Sequence, residues 1–201
     1  MFNFLTYKKF RSNKWANMSV ASRLRALQMM EHIEAKKWNR EELKIEDLDL
    51  GKNLLGRCDY SAKTIYINNQ LLNTPNMQFM ALLVLFHEGR HAYQYHVVSS
   101  NKNPWRFSKA YKWKKNMQNY IHYDGSDKFS YYSMQEVERD TNLYSLRRLQ
   151  SLHFWFRNED FYYRTLELKI KEMEKEKLLA KKELGLFYKW KVNRRINRKD
   201  S

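Results

Sequence analysis

Apolar positions along the chain change their period several times. Between Ser19 and Trp38, residues Val20, Leu24, Leu27 and Met30 recur at helical spacing behind a serine, which predicts an amphipathic helix. Across residues 51–70 the pattern changes: Thr64, Ile65, Tyr66 and Ile67 read as a strand, Gly51 and Gly56 punctuate the stretch before them, and a turn is expected between Asp59 and Lys63. A short antiparallel sheet is the reading of this region. Pro75 stands where a helix can begin, and residues 76–98, "NMQFMALLVLFHEGRHAYQYHVV", run on with Gly89 as the one breaker. Pro104 opens a further helical stretch, Asp124-Gly125 marks a turn, and two long helices are expected from about Ser130 to Gly185. In the second of these a Lys/Glu-rich solvated face accompanies Leu166, Ile170 and Met173, which are expected inside.

The predicted fold is therefore α+β and mostly helical, with a small antiparallel sheet. A chain of 201 residues with 43% hydrophobic and 15% aromatic residues can bury a core. The longest apolar run, Phe79 to Phe86, falls far short of the ~20 residues a membrane-spanning helix needs. Lys8, Lys9 and Arg11 arrive too early for a secretory leader, so a cytoplasmic location is expected. Cys58 is the single cysteine, which excludes an internal disulfide and a cysteine-rich zinc finger. Any metal ligands must be histidine or carboxylate.

The formal charge of +16 is unevenly placed. Residues 97–123 hold Lys102, Arg106, Lys109, Lys112, Lys114 and Lys115 with no acid, and basic residues crowd both ends of the chain. Such a surface attracts polyanions, so nucleic acid is a candidate partner. Trp105, Phe107, Tyr111 and Trp113 interleave with those lysines, a mixture able to stack bases and track phosphates, or to pack inward as an amphipathic helix.

The chemistry concentrates in His87-Glu88-Gly89-Arg90-His91. Residues four apart share a helix face, so His87 and His91 can present imidazoles to one zinc ion while Glu88 stands beside its bound water. A third ligand is required. His96 points away from His91 on a continuous helix, and Gln94 and Val97 occupy the places where a metzincin carries Gly and His. Downstream, "SMQEVERDTNLY" offers Glu136, Glu138 and Asp140, of which Glu136 and Asp140 share a face.

The histidine motif followed some 45 residues later by "EVERD" resembles the gluzincin arrangement. The upstream "GRCDYSAKTIYINNQLL" resembles the strand and Leu run before the H-E-x-x-H helix of ImmA/IrrE-like small metallopeptidases. The resemblance covers about residues 50–148. It implies a zincin-like, minimal-gluzincin domain at 19–184, between a basic N-terminal segment 1–18 and a basic C-terminal tail 185–201. It further implies zinc held by His87, His91 and Glu136, with Glu138 as the fallback ligand and Asp140 orienting a ligand histidine. Glu88 would be the general base of peptide-bond hydrolysis, acting on a specific intracellular protein such as a repressor of a phage or mobile element. Tyr131, Tyr132, Tyr144 and His153 are the candidates for steadying the tetrahedral oxyanion. The alternative is a nucleic-acid-binding regulator that keeps the fold without turnover.

Overall fold

The computed structural model describes residues 2–101, 105, 108–120, 135–152, 168, 170–172 and 175. The chain divides into two compact units, Met1–Asp160 and Phe161–Ser201. In the second, Ile170 is buried and Leu168 exposed, while Leu166 and Met173 lie outside the described residues.

The first unit runs α1 (Phe2–Lys8), α2 (Ser12–Ala16), α3 (Val20–Lys37), β1 (Lys44–Leu48), β2 (Gly56–Asp59), β3 (Thr64–Asn68), α4 (Asn69–Asn73), α5 (Gln78–Ser100), α6 (Lys109–Gln118) and α7 (Glu136–Ser151). It is α+β and mostly helical. The basic segment 1–18 packs into this unit: Phe10 and Trp15 are fully buried and stack on each other, and Arg23 donates to the carbonyls of Trp15 and Ala16. Its third carbonyl, Leu72, ties α3 to the end of α4.

Helix α3 begins as its sequence predicts, with Ser19 Oγ accepting from the amide of Ser22. Its buried side is less apolar than the periodicity suggests. Ala26, Leu27 and Met30 share it with Arg23, Glu31 and Glu34, whereas Val20 and Leu24 are only half-buried. The Glu31 carboxylate is held two-pronged by Arg40 at 2.5 and 2.8 Å and also accepts from the amide of Leu43. This pair fixes where the chain leaves α3 for the sheet, and a fully paired charge can be buried where a lone one cannot.

The sheet has the order β1-β3-β2 and is mixed, which corrects the expectation of an antiparallel sheet. The predicted hairpin is present: β2 pairs antiparallel with β3, Cys58 opposite Ile65. Asp59 Oδ1 accepts from the amides of Ser61 and Ala62 at 3.0 Å each, and Lys63 takes a left-handed φ of 51° to close the turn. The parallel strand β1 comes from outside the region with strand character. In its sequence Lys-Ile-Glu-Asp-Leu only Ile45 is buried, so alternation gives little signal, and the strand is recruited by pairing with β3.

Helix α5 is central, touching α3, α4, α6, α7, β2 and β3. It starts at Gln78, not at Pro75, because Pro75 lies in the short turn that follows α4. Gly89 does not break it. A Cβ there would stand 3.1 Å from Arg40 Nη2, so glycine lets the Glu31–Arg40 pair lie against the back of the helix. Gly56 serves the opposite side: a Cβ on it would come 2.2 Å from Val84 Cγ1 and 3.5 Å from Glu88 Cγ, so only glycine allows β2 to approach α5 this closely. Among the described residues no helix is long and apolar enough to cross a membrane.

Gly56→Ala should therefore force β2 and α5 apart and lower stability by about 1–3 kcal/mol, as overpacking does. The check is urea denaturation followed by circular dichroism, with an unchanged midpoint counting against the close approach.

Candidate metal centre

The site forms where α5 crosses the first two turns of α7. The turn of α5 after Phe86 presents His87 and His91 on one face, as the four-residue spacing requires, with their Nε2 atoms 3.1 Å apart. Helix α7 lacks a side-chain cap of its own at Gln135. The missing acceptor comes from α6: Asn116 Oδ1 accepts from the amide of Val137 at 3.0 Å, and its amide donates to Gln135 Oε1. That contact sets where α7 begins and hence which of its carboxylates faces α5.

The carboxylate that does so is Glu138. Its Oε1 stands 3.2 Å from His91 Nε2 and its Oε2 3.4 Å from His87 Nε2, and the side chain is wholly buried. Glu136 is not at the cluster. It lies in the first turn of α7, half-exposed, and takes an ion pair from Arg139 at 2.6 Å. The structure does not bring Glu136, expected as third ligand, to the histidines; the carboxylate it brings there is Glu138, the fallback. The physical reason is the rotation of α7, which turns Val137, Glu138, Thr141 and Ser145 toward the interior and leaves Glu136 at the rim.

Asp140 also differs from expectation. It touches neither histidine. Its Oδ2 accepts from Arg90 Nε at 2.7 Å and from Gln94 Nε2 at 3.1 Å, and its Oδ1 accepts from Lys109. Gln94 stands between: its Oε1 is 3.0 Å from His91 Nδ1, and its Nε2 also reaches Val137 O at 3.1 Å. The link from Asp140 to the histidine is therefore indirect. Gln94 was visible in the sequence only as a residue that is not a metzincin glycine; its three-residue spacing from His91 was the available signal.

Electrostatics agree with the geometry. Burial opposes ionisation of Glu138, but hydrogen bonding to His87 and His91 outweighs it and holds the carboxyl well below the usual carboxylate range. Burial likewise works against a charged His91, and Glu138 more than offsets it, so the imidazole is shifted upward. Burial would raise the Asp140 carboxyl, but Arg90 and Lys109 pull it down. The guanidinium of Arg90 is itself enclosed by the rings of Trp38, Tyr93, Trp113 and Tyr144, with centroids 4.7 to 5.5 Å away.

Glu88 projects from the same turn toward β2, its stem beside Gly56. Its charge, after burial, raises the thiol of Cys58, and burial, Cys58 and Glu88 together raise the phenol of Tyr60. Beyond these two lies a groove of about 470 Å³ lined by Arg57, Cys58, Asp59, Tyr60, Ser61 and Tyr95. Tyr60 and Tyr95 stack with centroids 4.3 Å apart. On the other side of the cluster, Tyr120 Oη donates to Glu138 Oε1 at 2.5 Å. Of the four residues considered for the oxyanion, Tyr131, Tyr132 and His153 lie outside the described residues. Tyr144 is turned away, donating to Glu34 and accepting from Trp38 Nε1. His96 is exposed, as its angular position predicts.

His87, His91 and Glu138 are the group able to share a cation among the described residues. Ligands about 2.0–2.1 Å from a tetrahedral zinc ion stand about 3.3 Å from one another. The two imidazole nitrogens, 3.1 Å apart, are close to that edge; each faces a different Glu138 oxygen, at 3.2 and 3.4 Å, and one donor atom from each of the three residues lies within 4.8 Å of the others. A second observation concerns Glu138 Oε2, a buried carboxylate oxygen that faces His87 Nε2 at 3.4 Å but makes no well-formed hydrogen bond. A buried carboxylate oxygen so weakly satisfied is suited to a cation. Two nitrogens and one carboxylate are also a donor set suited to zinc. Comparison of the chain with protein-family models, with curated proteins and with solved structures gives no match.

Glu138→Ala should lower zinc affinity by more than about 100-fold, beyond the 10–100-fold typical of losing an outer partner, whereas Glu136→Ala should leave it unchanged. Chelator competition on the two purified variants decides between them, and the reverse order would reinstate Glu136.

Proposed function

We propose that the chain is a zinc-dependent peptidase acting on a specific intracellular protein. The observation that carries this reading is the convergence of His87, His91 and the buried Glu138 carboxylate, with Glu88 beside them and outside the ligand set. A purely structural zinc site has no use for a neighbouring carboxylate of this kind. Zinc, when bound, supplies a Lewis acid that polarises a carbonyl and makes water acidic enough to be used near neutral pH.

The remaining roles fall to the chain's own groups. Glu88, which makes no hydrogen bond or ion pair among the described residues, is placed to take a proton from water and return it to the leaving amine. Tyr120 brings a hydroxyl donor to the edge of the cluster and is the phenol best placed to steady a tetrahedral oxyanion. Tyr60, kept protonated by burial, bounds the groove on the β2 side. Strand β2 is an edge strand, so an extended segment can lie along it and bring a scissile bond past Glu88. A cytoplasmic setting and a target such as a repressor of a phage or mobile element belong to the same reading.

A second reading, a nucleic-acid-binding regulator, is favoured by one observation: α6 exposes Lys112 and Lys115, and Trp105 is 71% exposed just before it. Under it, binding to duplex DNA should weaken steeply with salt, and the double variant Lys112→Ala/Lys115→Ala should flatten the salt dependence by about 0.9 for each phosphate no longer neutralised. Absence of binding at low ionic strength would remove this reading.

For the peptidase, Glu88→Gln should keep the fold and the metal while the hydrolytic rate falls by roughly 10² to 10⁴-fold. Comparing new protein N-termini by mass spectrometry after exposure of a host proteome to wild type and to Glu88→Gln tests it and names the substrate. If no cleavage separates the two proteins, the peptidase reading fails.

A further inference from the structure

We infer that Gln94 is the positioning residue for His91, fixing its tautomer by a relay anchored on Asp140, Arg90 and Lys109. The inference rests on the metal-site reading and adds to it the means by which this chain orients a ligand. A metal-binding imidazole must present a bare nitrogen, and which nitrogen is bare depends on the hydrogen bond made by the other.

The orientation of the Gln94 amide follows from its neighbours. Its nitrogen faces Val137 O and Asp140 Oδ2, each at 3.1 Å. Both are acceptors, a carbonyl and an ionised carboxylate, so the NH₂ end must point to them and the Oε1 end to His91. Oε1 can only accept. The atom 3.0 Å from it, His91 Nδ1, therefore carries the proton, which leaves Nε2 to face His87 and Glu138. Gln94 is fully buried, so water does not compete for these bonds.

The relay is also charged at its far end. Arg90 Nε grips the same Asp140 oxygen that Gln94 uses, at 2.7 Å, and Lys109 of α6 holds the other. Asp140 can thus remain ionised in a mostly buried place and accept from the amide, which fixes Gln94 against rotation. Arg90 in turn cannot swing away, because four aromatic rings enclose its guanidinium. A direct histidine–aspartate contact would place a full negative charge on the ring; the interposed amide passes on orientation without that charge.

The test uses the full chain and two measurements. Nuclear magnetic resonance of the zinc-free protein should show a solvent-protected ring proton on His91 Nδ1, assigned by its loss in His91→Ala. In Gln94→Met, similar in length but without an acceptor, the protection should disappear. Zinc affinity measured by chelator competition should fall about 10–100-fold in the same variant. Asp140→Asn keeps an oxygen that accepts from Gln94 Nε2 and Arg90 Nε, with the exposed Lys109 able to turn away, and should keep both the protected proton and the affinity to within about threefold. If Gln94→Met does not fold, Asp140→Asn decides: loss of the protected proton in it overturns the assignment. A wild-type protein whose His91 lacks the Nδ1 proton overturns it without any variant. If wild type binds no zinc yet shows the protected proton, the peptidase reading fails and the role of Gln94 in fixing the ring stands.

Discussion

A helix enclosed by its neighbours must find a partner for every polar group it carries, and α5 carries several in its middle turns. Gly89 lies against the Glu31–Arg40 pair, Arg90 enters a ring of aromatics and meets Asp140, Gln94 bridges His91 to α7, and the two histidines face Glu138. Three of these contacts are made to α7 and the one at Gly89 to the α3 side. The placement of α3, α6 and α7 around α5 is thereby constrained by polar pairing as much as by apolar area, since an unpaired donor or charge at this depth would cost more than a missing methyl group.

Some buried polar atoms depart from that rule, among them Arg90 Nη1, Trp113 Nε1 and Glu138 Oε2, which make no well-formed hydrogen bond. Of these, Glu138 Oε2 is the one that faces an imidazole, His87 at 3.4 Å, while Oε1 of the same carboxylate faces His91. Natural sequences tolerate an incompletely satisfied buried charge chiefly where something outside the chain completes it, which is what a cation shared by His87, His91 and Glu138 would do.

Much of this arrangement was legible in the sequence, and the parts that were not share a cause. The H-E-x-x-H spacing, the Ser19 cap and the Asp59 turn are local signals, each spanning fewer than six residues, and local geometry decides them. The third ligand is not local. Pairing Glu136 with Asp140 respected the helical period but assumed which face of α7 turns inward, and that face is set by Asn116 capping α7 from α6. A subtler cue was present: Glu138, Thr141, Ser145 and Leu149 follow one another at spacings of three and four, and all four are buried. Strand β1 escaped for a related reason, since a strand with one buried residue owes its existence to its neighbour β3.

The enclosure of Arg90 bears on the order in which the molecule can assemble. Trp38 ends α3, Tyr93 belongs to α5, Trp113 to α6 and Tyr144 to α7, so a single guanidinium joins segments that are far apart along the chain. Closing such separations is an entropic cost that local helix formation does not meet, and contacts of this range form late. A chain with only its helices formed would offer His87 and His91 without Glu138, a weak and promiscuous pair. His87, His91 and Glu138 come together only once the long-range closure is made, so a three-residue group able to hold a cation does not exist until the protein has finished folding.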